Sequence, residues 1–135
     1  MRVTMTLSLP RDTSSVTNAR RVLTTLLSLT EADEEIRGHL AVLISEACAN
    51  AVVHADTGTV DINIVIDEHD CVVEVGNRGT SPDGAGLRAE LPDPLTIGGR
   101  GLPLIATLAD TATFTAGQPG RVLLRMTKRL TRPSA

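Results

Sequence analysis

The stretch SEACANAVVHA, residues 45–55, decides how this chain is read. Its residues are mostly small or apolar, yet every fourth position is polar: Glu46, Asn50 and His54. Side chains four apart are neighbours on a helix surface, so these three line one face. A carboxylate in apolar surroundings is costly unless it has a partner or a task. Near phosphates, a Glu serves as a general base and an Asn offers a neutral oxygen to a metal ion. Spacing alone leaves a polar strip at the rim of a buried helix equally open.

The pattern extends outward on both sides. Ile36, Leu40, Leu43, Ile44, Ala47 and Ala51 recur at helical spacing, giving a helix over 33–55 with Gly58 as its stop signal. Upstream, alternation of Val3, Met5, Leu7 and Leu9 gives a strand over 3–9. A helix over 14–29 follows, with Val16, Ala19, Leu23, Leu26 and Leu27 on its apolar face and Asp12, Thr13 or Ser14 as cap. Downstream, strands over 60–66 and 71–77 flank the polar turn 67–70 as a hairpin. Prolines and glycines make 79–98 a long loop, the kind that in a compact domain is functional or mobile. A helix over 102–108 and strands over 112–115 and 122–128, joined by the turn 117–120, complete the chain. The order predicts one α+β domain over 1–135, a two-layer α/β sandwich. Its sheet is expected to be mostly antiparallel, mixed, and covered on one face by helices.

Two further clusters stand out. In VEVGNRG, residues 73–79, alternation turns Asn77 to the same side as Val73 and Val75, toward the core. A polar group there suits recognition of a flat heterocycle, although an ordinary Asn-Arg-Gly turn explains the same residues. In GGRGLPLI, residues 98–105, glycines open a helix whose free N–H groups and dipole favour an anion. No Lys-Ser or Lys-Thr follows them, so this is not a P-loop, and no strand leads into them as a dinucleotide fingerprint requires.

Composition narrows the classes. Phe114 is the only aromatic residue and the net charge is −3, so direct nucleic-acid binding is not expected. Arg121, Arg125, Lys128, Arg129 and Arg132 read as a solvated strand face and tail. Cys48 and Cys71 read as small buried hydrophobes, too few and too far apart for a disulfide framework or zinc site. The opening MRVTMTLSLP lacks the features of a signal peptide, and no stretch approaches a run of about 18 apolar residues. A soluble, cytoplasmic protein without membrane attachment is the expectation.

Taken together and in this order, SEACANAVVHA, VEVGNRGT and GGRGLPLI resemble the N-box and two glycine boxes of the GHKL ATPase superfamily. The resemblance covers about residues 4–128 and is closest in style to the single-domain anti-sigma-factor serine kinases. It implies a Bergerat-type ATP-binding fold, with ATP and Mg2+ as cofactors. By that resemblance Glu46 is the general base and Asn50 the ligand of a magnesium ion bridging the triphosphate, with His54 in support. Gly99 and Gly101 cradle phosphates, Arg100 reaches toward them or points to solvent, and Gly79 and Leu102 join the nucleotide-binding set. Residues 80–98 match the ATP lid. Asn77 stands where the family carries an Asp that accepts a hydrogen bond from the adenine amine, and Ser81 replaces the box's second glycine.

The implied function is an ATP-binding regulator that acts as an anti-sigma factor with serine/threonine protein kinase activity toward an anti-anti-sigma partner. A sigma factor is its other partner, and a homodimer its implied assembly. Asn77 and Ser81 keep an alternative open: a non-catalytic, protein-sequestering module with weakened or lost nucleotide binding. A detached histidine-kinase catalytic domain is a third reading, and no phosphoacceptor helix pair accompanies it.

Overall fold

The computed structural model describes residues 1–79, 101–115 and 121–131. Strand β1 (Val3–Pro10) is followed by helices α1 (Ser14–Leu27) and α2 (Glu34–His54). Strands β2 (Ala55–Ile66) and β3 (Asp70–Gly79) come next, then α3 (Gly101–Leu108), β4 (Thr111–Thr115) and β5 (Arg121–Arg129). The strands form one sheet in the order β1-β2-β3-β5-β4, and all four pairings are antiparallel. The expected α+β class and element order hold, and no parallel pair is found among the described strands.

Register explains why the helices cover one face. Leu7 stands opposite Ile62, Ile62 opposite Val75, Val75 opposite Leu124 and Leu124 opposite Phe114. Because side chains alternate along each strand, that single row commits every strand's apolar set to the same side. Ile62, Ile64, Val73, Val75, Leu124 and Met126 are buried there against Leu23 and Leu27 of α1, Leu40, Leu43, Ile44 and Ala47 of α2, and Ile105 of α3. The opposite face carries polar ladders, including Thr6 to Asn63, Ser8 to Asp61 and Asn63 to Glu74. The basic residues of β5 lie outside the core: Arg121 pairs with Asp61, and Arg129 stands 4.0 Å from Asp70.

The hairpin turn forms as expected. The Asp67 carboxylate accepts hydrogen bonds from the backbone N–H groups of Asp70 and His69, each at 2.7 Å. Those bonds favour the ionised carboxylate and hold its pKa below the ordinary value.

Two expectations need correction. Gly58 does not stop α2, because the helix ends at His54 and β2 begins at the next residue. Gly58 instead lies inside β2 at φ +88°, where the pairing with β3 slips: Thr57 stands opposite Arg78, but Asp61 stands opposite Gly76. Only glycine adopts that backbone readily, and an irregular strand with extra residues requires it. Nor is the chain without a long apolar stretch: α2 has 21 residues, and an 18-residue window within it reaches a mean hydropathy of 1.3, enough by length and composition to cross a membrane. The physical reason is its position, since it packs on the sheet, α1 and α3 at once and is buried along most of its apolar stripe.

Both cysteines are fully buried, Cys48 on α2 and Cys71 on β3. Burial pushes the Cys48 thiol up to about 11; burial, then the nearby Asp67 charge, pushes the Cys71 thiol up to about 12. A raised folded-state pKa contributes stability that is complete below the ordinary thiol value of 9.0 and is lost as pH rises through the folded values. The urea midpoint of the wild type should therefore fall more steeply between pH 9.0 and about 11 than that of a Cys48→Ala, Cys71→Ala double variant. Parallel pH profiles would show that these thiols ionise without unfolding.

Candidate functional site

Glu46, Asn50 and His54 are half-buried on α2, beside its buried stripe. Hydrogen bonds from α1 and from the turn before it, which holds Arg11, reach another flank of the same helix. Arg20 Nη1 reaches Ser45 Oγ at 3.4 Å and Arg11 Nε reaches the Val52 carbonyl at 3.1 Å. At 3.6 residues per turn, Ser45 and Val52 project away from Glu46 and Asn50. The polar flank therefore escapes coverage by α1. Its carboxylate and amide remain half-buried beside apolar core, the setting the sequence predicted.

The end of β3 arrives at the same end of α2. Ala55, the residue after the helix, pairs with Gly79. Asn77, two residues before Gly79, turns to the helix side with Val73 and Val75, and faces Val122 across the ladder. It is 6% exposed. Its Nδ2 is buried and has no hydrogen-bond partner among the described residues. Leaving a buried donor unpaired costs about 1–3 kcal/mol. Native proteins rarely tolerate this without a reason, and a ligand that supplies the acceptor is one.

Helix α3 also packs on α2. Pro103 sits in its first turn, where the missing N–H costs nothing, and its carbonyl accepts from Thr107 Oγ1 at 2.9 Å. The unpaired N–H groups of a helix start favour an anion. Leu102 is partly buried against the core, and Gly101 is the first residue of the helix.

Thus α2 is the shared neighbour of every described candidate: Glu46 and Asn50 on the helix itself, Asn77 and Gly79 on β3, Gly101 and Leu102 on α3. Gly99, Arg100 and the expected lid, 80–98, lie outside the described residues. The donor set fits a magnesium nucleotide. Among the described residues no three His, Cys, Asp or Glu side chains converge on a metal position. Mg2+ bound to a nucleotide takes most of its ligands from phosphates and water, and one protein oxygen such as Asn50's suffices. The unpaired Asn77 donor matches an acceptor on a heterocycle edge.

A second concavity was not anticipated. It lies on the sheet's other face, about 310 Å3 in volume, bordered by Thr6, Asn63, Glu74, Arg121 and Leu123. Gly76 opens it: a Cβ there would stand 3.4 Å from Leu123 Cδ1. The glycine between Val75 and Asn77 was its only signal in the sequence.

Comparison with known proteins gives the same picture. The histidine kinase-like ATPase domain model matches residues 9–128. The serine-protein kinase RsbW of Listeria monocytogenes is 32% identical over 118 residues, covering 78% of this chain and 75% of the relative. Among solved structures, a chain containing the RsbU and RsbW domains of a Mycobacterium tuberculosis protein superposes with a TM-score of 0.73 at 20% identity. That alignment takes in 98% of this chain but 34% of the other, so this chain spans about a third of it. A chain of the SiaB–SiaC complex of Pseudomonas aeruginosa gives a TM-score of 0.64 at 19% identity, over 93% of this chain and 89% of that one.

An unpaired buried amide should be dispensable to the empty fold. Asn77→Leu keeps the branching at Cγ and removes the orphan donor, so the ligand-free variant should match or exceed wild-type stability, by up to about 1 kcal/mol, in urea titration. A loss of 2 kcal/mol or more would mean that the amide has a structural partner.

Proposed function

This chain belongs to the histidine kinase-like ATPase family, and from that premise we propose that it is an anti-sigma regulator with Mg-ATP-dependent serine/threonine kinase activity. Its substrate would be a hydroxyl on a small anti-anti-sigma partner, and its second partner a sigma factor. This exchange would take place in the cytoplasm, with a homodimer as the working assembly. The observation that carries it is the pairing of Ala55 with Gly79, which ties the C-terminal end of α2, the helix that carries half-buried Glu46 and Asn50, to the strand end that holds Asn77, whose Nδ2 has no partner among the described residues.

When bound, Mg-ATP supplies the phosphoryl group and the cation that offsets charge developing on it. The chain's own residues do the rest. Asn77 would hold the base by its edge, beside its aliphatic strand neighbours Val75 and Val122. Asn50 Oδ1 would hold the ion, one helical turn from Glu46. The Glu46 carboxylate accepts the proton of the attacking hydroxyl. The start of α3 offers backbone donors to phosphate oxygens. Phosphoryl transfer depends mostly on such positioning.

A second reading, sequestration of a protein without catalysis, is favoured by one observation: position 77 carries an amide where the family resemblance leads one to expect a carboxylate. Calorimetry and phosphoryl-transfer assays separate the two. Asn50→Ala should weaken Mg-ATP binding about tenfold. Glu46→Gln should leave binding within about twofold and lower transfer to the anti-anti-sigma protein by about 10²–10⁴. Transfer by Glu46→Gln at the wild-type rate would remove Glu46 from the chemistry. Wild-type protein that binds nucleotide but phosphorylates nothing would favour sequestration.

A further inference from the structure

Asn77 differs from a carboxylate in what it shows a base. A carboxylate offers two acceptors and no donor, whereas a primary amide offers one acceptor and one donor in a single plane. The Watson–Crick edge of a 6-aminopurine presents a donor, the amine, beside an acceptor, N1. A 6-oxopurine presents the reverse, an acceptor O6 beside a donor N1–H. An amide matches either edge, because turning it over about its last torsion exchanges its oxygen and nitrogen.

The surroundings of Asn77 permit that exchange. Val75 precedes it on the same side of β3 and Val122 stands opposite on β5, so these two strand neighbours on this face are aliphatic. The Nδ2 group has no partner among the described residues that would pin the amide in one orientation. The side chain is nevertheless 6% exposed, so whatever meets it is read in a desolvated setting. Mismatched polar groups there discriminate strongly.

We infer that Asn77 makes this site indifferent to the substituent at the purine 6-position, so that it accepts 6-oxopurine nucleoside triphosphates alongside ATP. The inference rests on the nucleotide-binding reading given above and adds the substrate class to it. The partner that selects the nucleotide in use is then its supply, not the pocket.

Calorimetric titration of the full chain with Mg-ATP and Mg-ITP tests this, since inosine changes the 6-position and N1 without adding a 2-amino group. Wild-type dissociation constants for the two should lie within about tenfold of each other. Asn77→Asp should keep ATP binding and weaken ITP by a further factor of about ten or more, because its carboxylate meets O6 with two acceptors. Asn77→Ala should weaken both alike. A wild-type preference for ATP above about tenfold, or a preference that Asn77→Asp leaves unchanged, overturns the inference while leaving the nucleotide site in place. Failure of wild-type protein to bind either nucleotide removes the site itself, and the inference with it.

Discussion

The apolar stripe of α2, from Ile36 to Ala51, lies across the isoleucines and valines of β2 and β3, and the positions of the other elements depend on that contact. Helix α1 and helix α3 both pack on α2, and the five strands share a register that turns their apolar rows toward it. Burial of such side chains contributes roughly 25 cal/mol per Å2 of apolar surface, and close packing makes the contact specific. Three neighbours at once ask for apolar surface on several sides of the helix, although Val42 and Val53 remain exposed. That need accounts for its membrane-like composition and for why its few polar residues are informative.

The same contact sets the chemistry. A helix packed against the sheet and two other helices keeps its remaining polar groups at the boundary between core and solvent, where Glu46 and Asn50 are half-buried. The strand beneath runs from a fully apolar row into Asn77 without changing face, so the last inward side chain before Gly79 is polar and nearly enclosed. Its donor, like Arg37 Nε and His39 Nδ1 on α2, is buried without a partner among the described residues, and of the three it alone lies on the sheet beneath the helix. Such conflicts concentrate at functional sites, where the ligand completes what the fold leaves open.

Much of this was legible in the sequence, because it follows from periodicity. Period four marked α2 and the Glu46–Asn50–His54 face, and period two marked β2 and β3 and the inward direction of Asn77. The start of β2 was not legible. Its first residues, Ala55 to Thr59, carry no alternating apolar signal, and Gly58 looks like a helix stop because the same φ > 0 preference serves caps and strand irregularities alike. The pairing of Ala55 with Gly79, which joins the two halves of the site, is therefore a tertiary fact. So is the missing partner of Asn77: sequence gives the residue and its face, but only the packed neighbours show that nothing described meets its amide. The concavity over Gly76 was illegible for a related reason, since it is formed by all five strands on the face away from the helices.

The chain's four asparagines offer a direct test of where a nucleotide binds. Asn50 and Asn77 lie on the helix side of the sheet, Asn63 lies on the opposite face hydrogen-bonded to Glu74, and Asn18 is exposed on α1. The side-chain amide resonances of all four, assigned in a 15N-labelled sample, should be followed as a non-hydrolysable Mg-ATP analogue is added. The account predicts that the amides of Asn50 and Asn77 shift together while those of Asn63 and Asn18 hold still. Movement of Asn63 with Asn50 and Asn77 unchanged would put the ligand on the other face of the sheet and contradict it.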